Sequence, residues 1–112
     1  MAELGRLLAE RGIGVTARWV NGAHDHAPPV VCALDDFEDI DAADVLALWN
    51  PKHHHGAGSG GRHVEVGYAL ARGKRVVLMG DRENVFHSHP NVIVIAGFAE
   101  LAETLLALAV PE

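Results

Sequence analysis

Three short and nearly uninterrupted apolar runs constrain this chain most: Asp44–Trp49 (DVLALW), Lys74–Met79 (KRVVLM) and Val92–Ala96 (VIVIA). A strand with one wet face alternates apolar and polar residues, whereas a strand buried on both faces reads as a continuous apolar run. The runs are spaced by helical patterns. From Arg62 to Arg72, Val64, Gly67, Tyr68 and Ala71 make one helical stripe, and Gly73 fits the position that ends a helix. After the third run, Phe98, Leu101, Leu105 and Leu108 make a C-terminal helix.

Upstream, Leu4, Leu7 and Leu8 form a short apolar stripe, with Gly12 and Gly14 as natural terminators. Val15–Val20 (VTARWV) is β-branched and aromatic and predicts a strand, and Asn21–Pro29 predicts a loop. Leu34, Phe37 and Ile40 step by three and predict a short amphipathic helix ending near Ala42. The order α-β-α-β-α-β-β-α implies the α/β class, a flavodoxin-like or Rossmann-like parallel sheet with helices on both faces. A length of 112 residues suits a single domain spanning 1–112. Sheets of this kind normally open on a central strand, and this sequence opens on a helix. Either the usual first strand is absent from this sheet or the sequence starts late.

Apolar residues make up 49% and charged residues 21%, the balance of a soluble globular protein, and a cytoplasmic location is the default expectation. A formal charge of −6 argues against nonspecific nucleic-acid binding, which needs clustered Lys and Arg, but leaves room for a nucleoside or nucleotide. Cys32 is the single cysteine, so no intrachain disulfide forms. No apolar run approaches 18 residues, so neither a membrane span nor a membrane partner is expected. Met1-Ala2-Glu3-Leu4 has neither the basic nor the apolar region of a signal peptide.

The densest chemistry lies between the first and second buried runs, in Gly58-Ser59-Gly60-Gly61-Arg62-His63-Val64-Glu65-Val66-Gly67. Loops after parallel strands sit where ligands bind in open α/β sheets. Gly58, Gly60 and Gly61 let backbone approach a ligand, and N–H groups at the helix start attract anions. Ser59 can cap the helix or hydrogen-bond a phosphate or a sugar hydroxyl; the plain alternative for the whole stretch is a flexible, capped linker. Glu65 follows in the first turns, where the helix dipole favours a carboxylate, whether as a nucleophile or merely as a complement to that dipole.

Asp35, Asp36, Glu38, Asp39 and Asp41 crowd one short helix. Asp35 and Asp39, opposite the apolar stripe, read as a solvated face. Asp36 borders the stripe and can supply a second carboxylate, and Asp44 opens a strand as a cap or loop ligand. The eight histidines do not make a metal pattern. His53-His54-His55 are consecutive and cannot converge on one ion, His24, His26, His87 and His89 lie in loops, and no HExxH occurs. No metal and no cofactor are expected. Trp19 and Trp49, at strand ends, read as core or pocket wall.

Together these segments resemble the nucleoside 2-deoxyribosyltransferase family and the related 2'-deoxynucleoside 5'-phosphate N-hydrolases. The match runs from Leu4 to about Leu108 and is strongest in Asp36–Leu46 (DFEDIDAADVL) and Gly60–Val76 (GGRHVEVGYALARGKRV). Val15–Trp19 and Glu83–His87 resemble a bacterial and phage-type subset. The resemblance implies that Glu65 attacks the anomeric carbon of a deoxyribose, that Asp36 lies near sugar and base, and that Ser59 contacts a 5'-phosphate. It implies that the loop Asn84–His89, with Asn84, His87 and His89 as substrate-binding residues, reaches a neighbouring subunit's site in a homodimer or larger assembly. Family members usually begin with a strand carrying a Tyr or Gly-rich ligand loop, which has no counterpart before Met1.

The chemistry agrees with these residues. Breaking an N-glycosidic bond develops oxocarbenium character, which a close carboxylate stabilises and can trap covalently. A second acid can protonate the departing base. A new base then completes transfer and water completes hydrolysis, while a binding module of the same fold does neither.

Overall fold

A computed structural model describes residues 2–16, 27–50 and 60–108. It divides into two compact units, Met1–Ala43 and Asp44–Glu112.

In the first unit, α1 spans Ala2–Glu10 and stops before Gly12. Helix α2 spans Pro29–Ala42, beginning five residues before the stripe that announced it at Leu34. Its start is set by Pro29 at the first helical position, where a missing N–H costs nothing and φ is already helical. The loop expected through Pro29 therefore ends one residue sooner. Val15 and Thr16 are not in a strand, and the rest of the expected strand, with Trp19, lies outside the described residues. Instead of joining a ladder, Thr16 donates its hydroxyl to the carbonyl of Asp39 at 2.7 Å. Asp39, expected on a solvated face, is only 6% exposed.

The second unit is a three-stranded parallel sheet in the order β1 (Val45–Asn50), β2 (Arg75–Gly80), β3 (Val92–Ile95). All three runs thus form strands, each within a residue or two of its expected bounds, but β1, an edge strand among the described residues, is not buried on both faces as expected: Ala47 and Trp49 are exposed on one of them. In register, Val45 faces Arg75 and Asn50 faces Gly80, while Val76 faces Val92 and Met79 faces Ile95. The central strand carries the core: Val76, Val77 and Leu78 are wholly buried and Met79 nearly so.

Side chains alternate across a strand. Val77 and Met79 point to one face, where they pack with Leu101, Val45, Ile95, Leu105 and Leu108. Leu101–Leu108 is helix α4, entered through a 3-10 turn at Phe98–Glu100 rather than as one continuous helix from Phe98. Val76 and Leu78 point to the other face, where α3 (Gly61–Ala71) buries Val66 and Ala69. Helices therefore cover both faces of this sheet. Trp49, expected as core or pocket wall, is half exposed, with its ring 5.8 Å from that of Phe98. Among the described residues β1 and β3 are the sheet edges.

The crossover from α3 to β2 is closed by Gly73, whose φ of +74° is a conformation that residues with a Cβ avoid. Its N–H reaches Leu70 O at 3.1 Å and that of Lys74 reaches Ala69 O at 2.9 Å, so two last-turn carbonyls are satisfied as the chain reverses.

Leu101 is 2% exposed against the β2 side chains. Leu101→Ala should lower unfolding free energy by about 2–5 kcal/mol, the range for a buried leucine whose cavity does not fully collapse. Urea unfolding followed by circular dichroism checks it, and a loss under about 1 kcal/mol would show α4 to be weakly docked.

Candidate functional site

The carboxyl end of β1, the first turn of α3 and the segment after β2 meet at one knot of polar groups. Asn50 ends β1 on the α3 side and is wholly buried. Its amide nitrogen donates to Asp81 O at 2.8 Å, and its own carbonyl accepts the Asp81 N–H at 3.2 Å. A buried amide with both ends satisfied is a rigid fixture, because losing either partner would strand a polar group. The Asn50 side-chain oxygen accepts from Arg62 Nε at 3.2 Å. Arg62 Nη2 in turn donates to both oxygens of Glu83, at 3.0 and 2.9 Å. The arginine and glutamate side chains are 20% and 15% exposed, so water screens the pair only in part.

Two histidines extend the knot. His63 Nε2 lies 3.1 Å from Glu83 Oε2, and His63 Nδ1 lies 3.3 Å from the side-chain nitrogen of Asn84. The tautomer follows from Asn84. Its oxygen accepts the Phe86 N–H at 3.0 Å, so its nitrogen is the end turned to His63 and must donate. His63 Nδ1 is then an acceptor, and Nε2 carries the proton given to Glu83. His87 is 1% exposed, and its Nδ1 accepts the Glu83 N–H at 2.9 Å. That bond ties the ring to its own loop through Nδ1, and the same ring lines the cleft described below.

Glu65 is the fifth residue of α3 and is half-buried. Gly60 is the residue before the helix, at φ +81°, so a left-handed turn aims α3 back along the sheet without any side-chain cap. The Gly60 carbonyl accepts from His63 N at 3.0 Å, and Gly61 begins the helix. Ser59 and Gly58 lie outside the described residues, as do His24, His26 and His53–His55. Asp36 is half-buried on α2, in the other unit. Asp44 is exposed at the amino end of β1, six residues and about 20 Å of strand from Asn50, and so lies away from the knot. Asn84 caps the 3-10 turn Val85–Ser88, and His89, exposed at its end, accepts the Asn91 N–H at 3.0 Å.

A cleft of about 400 Å³ is lined by His63, Val64, Val66, Gly67, Asn84, Phe86 and His87. Of its lining residues Val64 and Phe86 are more than half exposed, as is Val85 next to Phe86 in sequence. Glu65 is not in it. An α-helix turns about 100° per residue, which sets Glu65 about 160° around α3 from His63. The cleft and the candidate nucleophile therefore occupy opposite flanks of one helix.

The chain shares its fold with a Clostridium botulinum CMP N-glycosidase, BcmB: 24% identity, a TM-score of 0.64, and coverage of 94% of this chain and 84% of that one. That likeness is one of fold. No family model matches the sequence, and no curated protein does. Among the described residues no helix is long and apolar enough to cross a membrane.

Asn50, Arg62, His63 and Glu83 were not singled out in the sequence. Arg62 and Glu83 are 21 residues apart on different elements, a pairing no local pattern reveals. Two signals were available: Arg62 and His63 lie inside the glycine-rich stretch of densest chemistry, and the polar Asn50 closes an otherwise apolar run at a strand's carboxyl end.

Removing the Asn84 cap tests the knot's outer rim. Asn84→Ala should cost about 1 kcal/mol, the usual loss for a capping side chain, and should release the Phe86 amide. Amide exchange at Phe86 and His87 should then quicken while the β2 amides keep their protection; uniform protection would refute the cap's role.

Proposed function

We propose that this chain is a nucleotide N-glycosidase in which Glu65 attacks the anomeric carbon. One observation carries the reading: Glu65 sits on the first turns of α3, just past a parallel strand's carboxyl end, in a fold shared with a CMP N-glycosidase. Ligands of open α/β sheets bind at that end.

The reaction follows from the residue types. As Glu65 bonds to the anomeric carbon, the C–N bond breaks, its electron pair leaves with the base, and the base takes a proton. The resemblance implies Asp36 as a carboxylate near sugar and base, an acid of the kind that can give that proton, and Ser59 as the contact to the 5'-phosphate. The glycosyl ester is then opened by water, whose oxygen bonds to the anomeric carbon as the ester C–O bond breaks and whose proton returns to the acid that protonated the base; the Glu65 carboxylate and the sugar phosphate are released, as in retaining glycosidases. Hydrolysis is favoured over transfer because the fold likeness is to a glycosidase. A free acceptor base in place of water would make the same chain the deoxyribosyltransferase that its motifs resemble. No step calls for a metal or cofactor.

The test incubates the protein with CMP, dCMP, other nucleoside monophosphates and free deoxynucleosides, with and without an acceptor base, and separates the products by chromatography. Release of base identifies the glycosidase, and exchange of base identifies the transferase. Glu65→Ala should lose several powers of ten in turnover, with stability within about 1 kcal/mol of wild type. Mass spectrometry should find a sugar-phosphate adduct on the peptide holding Glu65. Wild-type turnover by Glu65→Ala would sink the assignment.

We also infer a homodimer or larger assembly, supported by the family resemblance and by the exposed Val64, Val85 and Phe86. Light scattering at assay concentration should show more than one chain per particle, and an active monomer would exclude it.

A further inference from the structure

Gly60 gives α3 no side-chain cap, so the angle of its first turn must be fixed in some other way. The knot provides one. Arg62 lies in that first turn and is held from two sides, by Asn50 at the end of β1 and by Glu83 beyond β2. Asn50 is itself locked to Asp81, so the first anchor is as rigid as the sheet. The second is shared, since Glu83 receives both Arg62 and the next residue, His63. Glu65 follows Arg62 by three positions, and residues at that spacing are neighbours on a helix surface. Any tilt or slide of the first turn therefore carries Glu65 with it.

We propose that Arg62, anchored by Asn50 and Glu83, is a positioning residue that holds Glu65 at attack distance. This rests on the reading of Glu65 as the nucleophile. A nucleophile works within about 3–3.5 Å of its target, and a misplacement of about 1 Å can cost a hundredfold in rate. The fork of Arg62 suits the task because its Nε and Nη2 reach two acceptors on different elements at once. A lysine has one nitrogen and cannot span them.

The experiment compares Glu83→Gln, Arg62→Lys and the double variant with wild type, using CMP or whichever nucleotide the substrate panel identifies. Each single variant should lower kcat by about tenfold to a hundredfold with KM within about threefold, the signature of lost alignment rather than lost binding. The double variant should be no worse than the poorer single, since both break one device. Amides 65–68 should exchange faster in each variant while those of β2 stay protected. The proposal falls if both single variants keep kcat within twofold, or if KM rises as much as kcat falls. Should Arg62→Lys fail to fold, the near-isosteric Glu83→Gln decides alone. If wild type releases base from no nucleotide, the glycosidase reading fails by itself, and the exchange pattern then decides whether Arg62 fixes the turn; unchanged exchange at 65–68 overturns it.

Discussion

Everything described in the second unit hangs on β2 being paired on both edges and covered on both faces. Parallel neighbours cannot be joined by a tight hairpin; each pairing needs a connection that leaves one end of the sheet and returns to the other. Here β1 reaches β2 through α3, and that crossover brings α3 onto the face of Val76 and Leu78. The same path delivers the start of α3 to the carboxyl ends of the strands. The place where a charged side chain can gather with others is thus a by-product of burying four apolar residues of β2.

That dependence explains what was legible in the sequence. Burial on both faces writes itself as an unbroken apolar run, which is what KRVVLM in β2 shows; DVLALW and VIVIA also marked strands with little error, although Ala47 and Trp49 of β1 are exposed. Gly73 was legible for a similar reason, because a left-handed turn after a helix narrows the choice of residue. The start of α2 was not, since Pro29 looks like a loop residue until its place at the first helical position is known. Asp39 misled because helical periodicity describes one helix in isolation. It cannot foresee a contact from a distant residue such as Thr16, whose hydroxyl bonds the carbonyl of Asp39.

The candidate site divides along the same line. Glu65 and the glycines before it were readable because helix start, dipole and strand end coincide within a few residues. The partners that hold this turn were hidden, because a salt bridge between residues 62 and 83 is written in three dimensions only. The burial of His87 and its bond to the Glu83 N–H were hidden in the same way, since a loop histidine carries no sign of what its ring will pack against.

The two ends of the sheet carry unequal duties. At the carboxyl ends the turn into α3 is tied by side chains from two other segments. At the amino ends the turn through Gly73 closes on the backbone bonds from Gly73 and Lys74, with Arg72 and Gly73 exposed and the Arg72 guanidinium over the Tyr68 ring. Extra residues spliced in just after Gly73 would meet solvent and leave every polar tie of the knot in place. For a chain of this size, that turn is the natural port for a fluorophore, a surface tether or a fused partner.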